Sequence, residues 1–127
     1  MIDNSEMVFE QIASPVREQF NAYVVGCELS SKPPKFPALS IVVYNNSANK
    51  KYSTFEKVEN VAAEEYKLEA FSNLQEGGER QAKEIMAVAD EVMANLGYVR
   101  TFYQPIPNAA DTNVARLCAR YKNNIVI

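Results

Sequence analysis

The clearest pattern in the chain lies between Glu79 and Leu96. Ala82, Ile85, Met86, Ala89, Val92, Met93 and Leu96 recur at gaps of three and one, with Arg80, Lys83, Glu84, Asp90, Glu91 and Asn95 between them. That is one apolar stripe on an α-helix, with the polar residues left for water. Gly77 and Gly78 break the chain before it, and Gly97 is suited to the left-handed stop after it. A second helical face runs through Val8, Phe9, Ile12, Ala13, Val16 and Phe20. Asp3 and Glu6 have capping-box spacing, which starts this helix near Asn4. Pro15 interrupts the face, and Ser14-Pro15 suits an N-cap and first position, so a kink or two short helices is expected.

Elsewhere the period falls to two. Asn21–Leu29 carries the β-formers Tyr23, Val24, Val25 and Cys27 and reads as a first strand. Ser30–Pro37 holds Pro33, Pro34 and Pro37, a density that permits only an extended connection. Ala38–Tyr44 is the strongest strand, with Leu39, Ile41 and Val43 on one face. Ser40, Val42 and Tyr44 share the other, which is apolar enough to be covered or to lie at a subunit contact. In Val61–Asn73, Tyr66, Leu68 and Ala70 alternate with Glu65, Lys67, Glu69 and Phe71, the mark of a half-exposed strand. Tyr98–Tyr103 and Thr112–Tyr121 are two further strands. In the second, Ala115, Leu117, Ala119 and Tyr121 oppose Val114, Arg116, Cys118 and Arg120. Ile125-Val126-Ile127 either continue that strand or lie against another element.

The resulting order is α-β-β-β-α-β-β. Short connections favour antiparallel neighbours. The expected fold is a single α+β domain over residues 1–127, a two-layer sandwich of a mainly antiparallel sheet with both helices on one face. The other face is left partly exposed. Val42 and Phe71 are unusual on a fully solvated surface, which marks that face as a place for another subunit. The polar stretch 45–60 is long for a loop in a compact domain. It is either a surface excursion or an arm that orders on a partner, with Tyr52 and Phe55 as anchors.

Composition narrows the function classes. The 127 residues carry a net charge of −3 and 47% hydrophobic residues, with a pI near 5.0. One core is affordable at this length, and overall charge does not drive nucleic-acid binding. The apolar runs fall short of the ~20 residues a membrane span needs. Acid at Asp3 and Glu6 stands where a signal peptide carries base, so a cytosol-like site of synthesis is expected. Cys27 and Cys118 are then reduced, half-buried thiols rather than a disulfide.

The chain has no histidine. That removes the commonest general base and zinc ligand, and no cysteine pair has zinc spacing. Gly77-Gly78 lacks the Lys-Ser/Thr of a phosphate loop. Glu64, Glu65 and Glu69 are close in sequence, but Glu64 faces away from the other two on a strand. No catalytic group, metal or cofactor is therefore expected. An enzyme would need a convergent pocket, for example one lined by Glu64, Tyr66 and arginines. Arg116, Arg120 and Lys122 share one strand face, with Arg100 near across the hairpin. They form either a solvated face or a contact for phosphate or a neighbour's carboxylates.

Several of these residues carry a family resemblance. They are Phe71-Ser72-Asn73, Gly77, Ala82-Lys83-Glu84-Ile85, Asp90, Met93, Leu96-Gly97-Tyr98 and Arg100, then Pro105-Ile106-Pro107-Asn108, Arg116 and Arg120-Tyr121. With the opening helix and the Phe36-Pro37 lead into a strand, the chain resembles the tail-completion or tail-terminator proteins of long-tailed phages and prophages of Gram-positive bacteria. These are often labelled minor capsid or head–tail joining proteins. Residues 45–60 match nothing in that pattern. The resemblance implies a virion protein made in the host cytoplasm that assembles as a hexameric ring at the head-proximal end of the tail. Such a ring ends polymerisation of the tail tube protein and meets the head–tail connector protein, while genomic DNA passes through the lumen without being read. A head-side adaptor or stopper, a small assembly factor or an enzyme are the alternatives. A ring subunit needs two different adhesive patches. Val42, Tyr44, Tyr52, Phe55, Phe71, Arg100, Arg116 and Arg120 are the candidate interface residues.

Overall fold

The computed structural model describes residues 5–29, 33–46, 61–107 and 113–126. The elements are α1 (Ser5–Phe20), β1 (Tyr23–Val25), β2 (Ala38–Asn46), β3 (Val61–Ser72), α2 (Gly78–Asn95), β4 (Val99–Pro105) and β5 (Ala115–Val126). This is the expected order, in an α+β fold.

The helices form where the apolar stripes predict them. In α1, Val8, Ile12, Ala13 and Val16 are buried while Glu6, Glu10, Gln11, Ser14, Glu18 and Gln19 face water. The helix runs unbroken through Pro15 instead of dividing in two. The hydrogen bond that Pro15 cannot donate falls on the carbonyl of Gln11, an exposed residue, where water can replace it. In α2, Ala82, Ile85, Met86, Ala89 and Met93 are buried, and each large side chain contributes about 1.5–3 kcal/mol through burial. Both flanking glycines take positive φ, 81° at Gly77 and 91° at Gly97. Beyond α2, the Tyr98 N–H donates to the Met93 carbonyl at 2.9 Å and the Gly97 N–H to Ala94 at 3.0 Å. This paired closure satisfies the last carbonyls and turns Tyr98 back towards the core.

The strands form one five-stranded sheet in the order β1-β2-β3-β5-β4. β5 returns antiparallel between β3 and β4, so α2 crosses from the central strand to an edge strand that β5 then separates from it. β1 pairs with β2 in parallel, not antiparallel as its position in the chain suggests. The proline-rich connection 26–37 is long enough to carry the chain back to the start of β2.

Both helices lie on one face. Leu39, Ile41, Tyr66, Leu68, Ala70, Leu117, Ala119 and Tyr121 meet the stripes of α1 and α2 there in the main core. The other face has a smaller core of Ala38, Phe71 and Val114, against which Tyr23, Leu29 and Phe36 pack. Leu29 and Phe36, between β1 and β2, therefore cover part of that face. As a result β3 is not half-exposed. It is the central strand, with Glu69 only 3% exposed and Phe71 at 0%. β5 runs on through Ile125 and Val126, one of the two paths expected for the end of the chain. Cys118 is buried and Cys27 exposed, and both are free thiols. The arm reading, with Tyr52 and Phe55, lies outside the described residues, and β2 itself reaches Asn46 before that stretch begins.

Candidate interface on the open sheet face

Strand register orders the far face into cross-strand rows. Ala38, Phe71 and Arg116 form one row, and Ser40, Glu69, Cys118 and Gln104 the next. Val42, Lys67, Arg120 and Phe102 form the third. In the fourth, Glu65, Lys122 and Val99 lie opposite the end of β2.

The first two rows are closed within the chain. The Arg116 guanidinium donates to Glu69, with Nη2 2.8 Å and Nε 2.9 Å from Oε2, and lies 5.2 Å from the centre of the Phe71 ring. Two donors on a mostly buried carboxylate make this a charge-assisted pair of defined geometry. Lys67 pairs with Glu28 from the connection 26–37. The hydrogen bond to Glu28 holds the Lys67 proton more tightly than in a free lysine, against the opposing effect of burial. Burial, followed by the neighbouring Glu69 carboxylate, pushes the Cys118 thiol up from its ordinary value.

Apart from Lys67, which Glu28 closes, the third row and the fourth are open. Arg120 is held between two aromatic rings, 4.6 Å from the centre of Tyr44 on β2 and 4.7 Å from that of Phe102 on β4. Its Nε is buried with no hydrogen-bond partner, and Arg120 has no carboxylate partner among the described residues. A planar guanidinium stacked on aromatic faces is held in orientation by the rings. Around it, Tyr44 is 49% exposed, Val99 is 67% exposed, and Lys122 faces water. Val42 is half-buried beside them.

The candidate residues therefore separate. Val42, Tyr44 and Arg120 come together on the open rows. Phe71 and Arg116 share the face but are engaged within the chain, and the full burial of Phe71 leaves it no surface to offer. Arg100 lies on the opposite face. It pairs across the strands with Tyr121, sits 3.4 Å from Asp90 of α2, and lies 4.4 Å from the centre of the Tyr103 ring. The reason is an irregularity between Arg100 and Phe102: Arg100 opposes Tyr121 and Phe102 opposes Arg120, with Thr101 as the extra residue. Strict alternation puts Arg100 and Phe102 on one face, whereas a bulge puts them on opposite faces. Arg100 was misplaced for this reason, and no residue type around Thr101 signals the bulge; Phe102, which alternation places on the far face, was not singled out.

The acidic cluster also resolves by parity. Glu65 and Glu69 belong to the far face, and Glu64 points to the helix side, fully buried, accepting a hydrogen bond from the Tyr98 hydroxyl. The Tyr66 ring meets that of Tyr98 edge-on at 5.5 Å between centres. Burial and the Glu64 bond push the Tyr98 hydroxyl far above its ordinary pKa. Burial and a 2.9 Å bond to Asp90 do the same for Tyr121. Both hydroxyls are held protonated, as donors that tie the sheet to its neighbours. A groove of about 340 Å³ beside α1 is lined by Phe9, Ile41, Val43 and Tyr66 with Ser5 and Glu6, and contains no arginine. Among the described residues no group of acids and thiols is placed to hold a metal ion, and no helix is long and apolar enough to cross a membrane. No protein-family model matches the sequence, and a search of curated proteins finds no significant match.

Proposed function

We propose that the chain is a structural subunit of a phage tail end, a tail terminator that assembles as a ring, caps the tail tube and meets the head connector. In this reading it acts by contact, without catalysis or cofactor, and its place is the virion, with DNA passing the ring unread. The observation that carries the reading is the aromatic-bracketed Arg120 with exposed Tyr44 and Val99 beside it. A stacked cation without an acid partner among the described residues, rimmed by exposed apolar side chains, has the composition of a protein–protein contact, where aromatic residues and arginine are enriched. The family resemblance in the sequence and the two-layer α+β fold with one open sheet face support it as well.

The test is direct. Purified protein is mixed with tail tubes assembled from their tube protein and imaged by electron microscopy. Rings at one tube end, together with tubes that no longer lengthen, are the expected result. Protein that leaves tube growth unchanged, and forms no ring with the tube or the connector, overturns the proposal.

A further inference from the structure

The open rows have a counterpart elsewhere on the same molecule. Along α1, Met7 and Glu10 and, at the rim of the groove beside Ile41 and Val43, Glu6 are exposed, Met7 at 44%, and the first basic residue of the helix is Arg17. Arg17 is directed elsewhere, donating to the Val24 carbonyl at 3.1 Å and lying 5.6 Å from the centre of the Phe9 ring. Neither Glu6 nor Glu10 has an ion-pair partner among the described residues. One surface thus offers two cations, Arg120 and Lys122, with Tyr44 and Val99, against the single carboxylate of Glu65 across from Lys122. The other offers two carboxylates with an exposed methionine.

We infer that these surfaces bind each other between copies: the Arg120 face of one subunit receives the Glu6–Glu10 face of α1 from the next. The occupant of the open sheet face is a second copy of this chain, and the match is one of charge and of apolar surface together. Because α1 covers the opposite face of the sheet, the two patches point away from each other on one subunit. The contact is therefore head-to-tail and leaves a free patch at each end, which adds further copies, as a ring where the rotation between copies closes and as an open filament where it does not. Each stacked guanidinium meets its carboxylate with little loss of side-chain freedom, since Tyr44 and Phe102 already hold it flat. The inference deepens the ring reading, which requires a contact of this polarity.

Sedimentation velocity over a concentration series, at low and high salt, tests it. The unmodified chain self-associates, more weakly at high salt. Arg120→Glu or Glu10→Lys each weakens association by at least about tenfold, and the chain carrying both changes regains much of it. Lys122 and Glu10 are exposed, so Lys122→Glu with Glu10→Lys gives the same comparison should Arg120→Glu not fold. A chain monomeric at every concentration, charge reversals without effect, or a double variant no better than its parents overturns the inference. The tube assay separates the two proposals. Tube capping that survives both single reversals leaves the ring reading standing and removes this contact. Reversal-sensitive association without any action on tubes does the opposite.

Discussion

The two faces of the sheet are built from the same strands and held by different physics. On the helix side, Leu39, Leu68, Ala70, Leu117 and Ala119 meet the stripes of α1 and α2, and polar groups there are closed by hydroxyl donors such as Tyr98 and Tyr121. On the other side, charge is matched residue by residue: Arg116 with Glu69, and Lys67 with Glu28. A small apolar core closes one end of that face, and the other end is left with a cation between two rings. The helix side supplies stability through non-directional burial, which tolerates substitution of similar volume. The far side is directional and therefore suited to selecting a partner.

The largest effect that distinguishes the faces is at the centre of the helix layer. Ile85→Asp places a charge in the main core and costs about 3 kcal/mol or more, so urea unfolding finds the variant unfolded or nearly so. Phe71→Ala comes next and sharpens the comparison, because Phe71 lies on the far face yet is fully buried. It loses about 3 kcal/mol in the same experiment. A loss below about 1 kcal/mol would mean that Leu29 and Phe36 do not close that end. Arg116→Ala leaves the Glu69 carboxylate buried without its donor and costs about 2 kcal/mol.

A pH titration gives a smaller, signed effect. The Lys67 ammonium and the Cys118 thiol both bind their protons more tightly in the folded chain than their ordinary values of 10.5 and 9.0. Their contribution to stability is present below those values and is lost as pH rises through the folded ones. Stability falls from about pH 9 upwards, and Cys118→Ala flattens the lower part of the fall. Thiol labelling at neutral pH reads the same contrast, with exposed Cys27 modified quickly and Cys118 only on unfolding. The smallest effect belongs to Arg100→Ala, whose exposed pair with Asp90 is worth less than about 0.5 kcal/mol. A large loss there would break the distinction between the matched pairs of the far face and the solvent-screened pair at the edge.

Much of the fold was legible along the chain. The stripe from Ala82 to Leu96 and the face from Val8 to Phe20 are repeated local signals, each position restating its neighbours. Gly77 and Gly97 mark ends because the conformation needed there excludes most side chains. The alternation of β2, β3 and β5 sorted Leu68 from Lys67, and Glu64 from Glu69, correctly. The site was less legible. Val42, Tyr44 and Arg120 were picked by residue type and parity, but Phe102 was passed over and Arg100 was misplaced at a single bulge. Parity propagates an error through every later residue of a strand. Phe71, too, was read as surface because alternation reports a side, and burial depends on what covers that side.

The sequence by itself determined the element order, the stripes that become the core, the glycine turns around α2 and the excess of cations on one face of β5. These are properties of neighbouring residues, and backbone geometry converts them to structure with a fixed period. Only the tertiary structure decided that β1 runs parallel to β2, that β5 separates β4 from β3, and that Leu29 and Phe36 close one end of the far face. It also decided which cations are spent within the chain. Arg116 finds Glu69 47 positions away, whereas Arg120, among the described residues, meets rings from β2 and β4. Such pairings depend on strand order and register, which are settled by the sum of many weak contacts distant in sequence, and no local window contains them.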